Sequence, residues 1–188
     1  AGETYLNANS MKVGGSWRNL GGFTPGSGTV TFNATSTTQS IDSTGAATST
    51  FSNVTFGESG NTGTWSFGSS FIATGTVNMN FGTVTPGSQA LTFQGDLSIG
   101  ASGTFQKGSA TTTFSGSVSK SWTDSTAAKQ DLGNVAINGT SKTITLGSSN
   151  EVLAALKPGT LLDEVVVVGY GTVKKSDATG AVTSITEQ

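Results

Sequence analysis

The feature that most constrains this chain is a short alternating run that keeps returning. Thr29-Val30-Thr31-Phe32, Val54-Thr55-Phe56, Thr64-Trp65-Ser66-Phe67, Val77-Asn78-Met79, Leu91-Thr92-Phe93 and Leu97-Ser98-Ile99 each place apolar residues at every second position, with a hydroxyl or amide between them. Side chains of an extended strand point alternately to its two faces, so each run buries one face and wets the other. The runs follow one another at roughly ten-residue intervals, punctuated by Gly-Ser, Gly-Asn and Pro-Gly pairs. The chain is predicted to be all-β.

Short, evenly spaced strands suit a sandwich, a barrel or a solenoid, and internal repetition separates them. Residues 21–32 line up with residues 103–114, an offset of roughly 82 residues. Asn53-Val54-Thr55-Phe56 then corresponds to Asn134-Val135-Ala136-Ile137, and Phe67-Gly68-Ser69-Ser70 to Leu146-Gly147-Ser148-Ser149. A long unit of several strands that repeats favours stacked coils, because a coil buries its apolar face only against its neighbours. The expected architecture is a parallel β-solenoid over residues 1–150, with a β-sandwich as the alternative.

What coats such strands also limits the chemistry. Only 11% of the 188 residues are charged and 27 are Gly, so the outward positions are largely Thr, Ser, Asn and Gln. The nine basic residues are scattered and only Lys174 and Lys175 adjoin, which leaves no phosphate-tracking patch and argues against nucleic acid. With no Cys and no His, disulfides, thiolate metal sites and the commonest general base are all excluded. We therefore expect no enzyme, no cofactor and no metal. Asp42, Asp96, Asp124 and Asp131 read as solvated turn acids. Trp17, Trp65 and Trp122 read as core residues rather than a sugar-stacking platform. The Thr-x-Thr pairs, such as Thr83/Thr85 and Thr111/Thr113, read as ordinary outward strand positions. No run of about 18 apolar residues exists, so no transmembrane helix is expected. A start at Ala1 fits an exported chain whose leader has been removed.

The character changes near residue 150. Glu151-Val152-Leu153-Ala154-Ala155-Leu156 suits a helical turn or two, which Lys157-Pro158-Gly159 breaks, so residues 151–160 are predicted as a linker and residues 161–188 as an extended tail. Val165-Val166-Val167-Val168 is apolar on both faces and seeks burial on both sides. Asp163, Glu164, Lys174 and Lys175 flank it as gatekeepers against indiscriminate pairing. The candidate partner-binding strand is Asp163, Glu164, Val165, Val166, Val167, Val168, Gly169, Tyr170, Gly171, Thr172 and Val173. It is expected to dock by β-augmentation, either on its own body or on the open edge of another copy. Gly169-Tyr170-Gly171 lacks the further glycine spacing of a nucleotide loop.

Two resemblances bear on these expectations. Gly14-Gly15-Ser16-Trp17, followed by Gly22-Phe23-Thr24-Pro25-Gly26-Ser27-Gly28-Thr29-Val30-Thr31-Phe32-Asn33, resembles the solenoid-like repeats of large bacterial surface and adhesin-type proteins, a likeness carried through residues 14–150. Leu162-Asp163-Glu164-Val165-Val166-Val167-Val168-Gly169-Tyr170-Gly171-Thr172-Val173-Lys174-Lys175, continued to Val182, resembles the segment of SusC/RagA-type TonB-dependent outer-membrane receptors that joins the TonB-box region to the first plug strand. The second resemblance implies a box-like role for residues 163–167 and a plug start at residues 169–182. It covers roughly 20 to 30 residues and no barrel strands, so transport by this chain alone is not expected. The leading expectation is a non-catalytic structural protein of the Gram-negative cell exterior, polymerising into a fibre or surface layer with copies of itself. The alternative is the N-terminal part of a TonB-dependent receptor on the periplasmic side of the outer membrane, its tail engaging TonB. A third is a carbohydrate-binding adhesin domain.

Overall fold

The computed structural model describes residues 3–43, 50–138 and 144–146, and among them every regular element is a strand. The first turn carries β1 (Glu3–Tyr5), β2 (Met11–Val13) and β3 (Trp17–Arg18), and the second β4 (Gly22–Thr24), β5 (Thr29–Phe32) and β6 (Thr38–Asp42). The third carries β7 (Thr50–Phe51), β8 (Asn53–Phe56) and β9 (Thr64–Phe67). The fourth holds β10 (Phe71–Ala73) and β11 (Val77–Thr85), and the fifth β12 (Leu91–Phe93) and β13 (Leu97–Phe105). The sixth holds β14 (Thr112–Phe114) and β15 (Lys120–Asp124), after which come β16 (Val135–Ile137) and β17 (Ile144–Leu146).

All pairings among these strands are parallel, which identifies a β-solenoid of about six turns and sets the sandwich aside, since sandwich sheets are antiparallel. The coil has three faces. β7, β10, β12, β14 and β16 stack on the first, with the β1–β4 pair as a separate small sheet. β2, β5, β8, β11, β13, β15 and β17 stack on the second. The third is built from β3, β6 and β9 and continues through the later halves of β11 and β13. β11 rounds a corner: residues 77–79 pair with β8 and residues 83–85 with β9.

Stacking in register turns the alternation of each run into columns along the axis. Val30, Val54, Val77 and Leu97 form one inward column and are fully buried. Phe32, Phe56, Met79 and Ile99 form the next, where the Phe32 and Phe56 rings stack at 5.3 Å. Each such side chain contributes about 1.5–3 kcal/mol by leaving water, so a turn stands only because the turns on either side cover it. Trp65 and Trp122 are buried in this core as expected, while Trp17 is half-buried at the first turn with its ring edge-on to Phe23 at 4.9 Å.

The repeat is the single turn, not the 82-residue unit. Val30 pairs with Val54, Val54 with Val77 and Val77 with Leu97, while Met11 pairs with Val30 and Leu97 with Trp122, so a turn takes roughly 19 to 25 residues. The offset of 82 equates β5 on the second face with β14 on the first. Turns of unequal length leave no fixed period, and alternating runs on different faces look alike in sequence.

Among the described residues, the third face ends at β13. After Asp124 the chain runs in a loop instead of a strand, and the Gln130 side-chain oxygen accepts a hydrogen bond from the Phe105 backbone N–H at 2.9 Å, closing that edge. The predicted linker, residues 151–160, and the predicted tail, residues 161–188, lie outside the described residues.

Candidate functional site

The outward columns carry small polar side chains. On the second face Lys12, Thr31, Thr55, Asn78, Ser98 and Thr123 succeed one another, and on the third Thr38, Thr64, Thr83 and Thr104. Several corner side chains tie one turn to the next. Asn53 Oδ1 accepts from the Thr76 backbone N–H at 3.0 Å, and Asp96 Oδ1 accepts from that of Ser121 at 2.9 Å. These groups serve the coil, which leaves them poor candidates for binding a ligand.

The four aspartates singled out in the sequence do not converge. Asp42 lies in register with Arg18, Asp96 bonds to Ser121, and Asp131 pairs with Lys107. Asp124 is no solvated turn acid: it is buried, its Oδ1 accepting from the Thr126 backbone N–H at 2.8 Å and its Oδ2 from that of Gln130 at 2.6 Å. Hydrogen bonds from Lys107 and from the Gly133 backbone hold the Asp131 carboxyl below its ordinary value, as the hydrogen bond from Lys12 does for Glu58. Among the described residues no three potential metal ligands gather. The three tryptophans form no common platform, because Trp65 and Trp122 are inside the coil.

The two ends of the coil remain. At the first turn Met11, Trp17, Arg18, Asn19, Gly22 and Phe23 line a shallow cleft of about 220 Å³. At the other end, Val135 and Ile137 of β16 sit at inward positions, in register with Thr112 and Phe114. Phe114 is fully buried, yet Val135 and Ile137 are 42% and 44% exposed. Among the described residues, the inward columns of the first face thus end in two apolar side chains that are partly exposed. β16 pairs with β14 and β17 with β15, and among the described residues neither strand has a partner on its second edge. All of the sequence-predicted binding strand, from Asp163, Glu164, Val165, Val166, Val167 and Val168 through Gly169, Tyr170, Gly171, Thr172 and Val173, lies outside the described residues. The open end is the functional feature that reading the sequence missed. Val135-Ala136-Ile137 alternates like any inner strand, and nothing in the sequence around it sets it apart.

No family model matches the chain, and no solved structure matches it. One stretch is similar to TonB-dependent receptor P26 of Formosa agariphila, 47% identical over 47 residues. That stretch is 25% of this chain and 5% of the receptor, so the chain spans only a small part of the length of the relative it matches.

Proposed function

We propose that this chain is a non-catalytic β-solenoid of the Gram-negative outer membrane whose C-terminal segment engages TonB from the periplasmic side, residues 163–173 adding as a strand to the partner's sheet. The observation that carries this reading is the 47-residue similarity to a protein named as a TonB-dependent receptor, alongside the receptor-like string from Leu162 onward. The chemistry is that of β-augmentation: backbone N–H and C=O groups of an extended segment supply the affinity and alternate side chains the register. In an extended segment Val165 and Val167 would face one way and Val166 and Val168 the other, and glycines such as those around Tyr170 weaken strand pairing. The test is titration of the full chain with the C-terminal domain of TonB. Saturable binding that falls at least tenfold with Val166→Asp, but not with Thr31→Asp on the body, is expected. No binding by the unaltered chain removes the reading.

The open end of the coil favours a second reading, in which the same strand pairs with the edge of a neighbouring copy and builds a fibre or surface layer. Electron microscopy of the full chain then shows filaments that disappear in a Val166→Asp, Val168→Asp variant with unchanged circular dichroism. Monodisperse particles from the unaltered chain at high concentration exclude this assembly.

A further inference from the structure

We propose that Met11 is an oxidation site of the body: a peroxide entering the first-turn cleft converts its thioether to the sulfoxide, and the sulfoxide loosens the first turn from the second. The chain has two methionines, and the coil treats them differently. Met79 holds an inward position between Phe56 and Ile99 and is 2% exposed. Met11 is in register with Val30 on the next turn, yet it is half-buried and lines the cleft of about 220 Å³ together with Trp17, Arg18 and Phe23. That volume holds several molecules of the size of water, whose share of the liquid is about 30 Å³. One methionine is sealed inside the coil, and the other borders space that a peroxide fits.

The step needs no further catalytic group. A sulfur lone pair attacks one peroxide oxygen, the S–O bond forms as the O–O bond breaks, and the other oxygen leaves as water. Sulfur gives up two electrons and the peroxide takes them. The product is a polar group whose oxygen needs a hydrogen-bond donor. Toward the core Met11 meets the column of Val30, Val54, Val77 and Leu97, all fully buried and none with a donor on its side chain. The cleft offers the Arg18 guanidinium and water instead. The oxidised side chain therefore turns outward, and β2 loses the apolar contact that seats it on β5. The site belongs to the body and stands apart from the TonB reading, which rests on residues 163–173.

Two methionines in one chain make the selectivity directly readable. The full chain is treated with millimolar hydrogen peroxide and its peptides are weighed over time. Met11 is expected to gain one oxygen roughly tenfold faster than Met79, or faster still. Trypsin then reports on the first turn, which carries Lys12 in β2 and Arg18 in β3. Cleavage after these two residues is expected to speed up by about fivefold or more in the oxidised chain, with cleavage after Lys107 unchanged. Met11→Leu keeps an apolar side chain of similar volume and is expected to fold and to show no acceleration under peroxide, whereas Met79→Leu behaves as the unaltered chain does. Equal oxidation of the two methionines overturns the inference. So does oxidation of Met11 without faster cleavage, or peroxide-accelerated cleavage in Met11→Leu.

Discussion

Asp124 occupies the place in an inward column that Phe32, Phe56, Met79 and Ile99 hold in earlier turns. A buried carboxylate there would be costly without partners, and it has them: the Thr126 and Gln130 backbone N–H groups and the Thr126 hydroxyl, the last at 2.5 Å. The Lys129 ammonium donates to the Asp124 backbone carbonyl at 2.8 Å, fixing the same loop. Asp124 therefore folds the loop that carries Gln130 to the edge of β13. Replacing it with Ala leaves those backbone donors unmet and is expected to destabilise the chain by on the order of 3 kcal/mol in urea unfolding. The ion pairs at the surface behave differently. Glu58 and Asp131 titrate below their ordinary values of 4.5 and 3.8 because Lys12 and Lys107 hydrogen-bond to them. A carboxyl depressed in the folded state stabilises fully above its ordinary value and loses that contribution as pH falls through the folded value. Lys12→Gln with Lys107→Gln should therefore lower stability slightly above about pH 4.5 and flatten the decline below it by the same small amount, small because both pairs are solvent-exposed. An unchanged acid limb would show that these pairs contribute nothing measurable.

Among the elements, the corners are more demanding than the strands. Gly82 turns β11 from the second face to the third with a φ of +72°, and a Cβ there would lie 2.8 Å from Trp65 Cζ3 and crowd the Gly63 carbonyl. Gly60 has a φ of +84° with open space around it. Gly60→Ala should cost about 1–2 kcal/mol from left-handed strain alone, and Gly82→Ala clearly more, measured as a shift in thermal midpoint. Equal losses would mean that the corner relaxes around the methyl group. Alternation made β5, β9 and β12 legible from the sequence residue for residue, because Val30, Phe32, Trp65, Phe67, Leu91 and Phe93 all face inward. The same signal gave only the first three residues of β11 and β13, since the corner shifts the register after Met79 and alternation restarts in a new phase. β1 to β4 escaped notice because they carry Thr, Lys, Arg and Gly among their few apolar residues. The tail was legible as a resemblance. The open end at β16 was not, because exposure there comes from position in the stack.

A stack whose turns touch only their neighbours opens from its ends. Amide hydrogen exchange on the full chain should find the slowest exchange in β8, β11 and β13, with β2 and β16 faster by an order of magnitude or more. Uniform protection would mean that the body melts as one unit. The same geometry fixes what the body is useful for. The second face has seven strands, and at about 4.8 Å per step they rise roughly 29 Å along the axis. An extended peptide covers that distance with about nine residues. A chain under pressure only to hold two points apart would not build this coil. Its yield is breadth: three walls of fixed relief, on which a change at one outward residue alters one tile and leaves its neighbours in place.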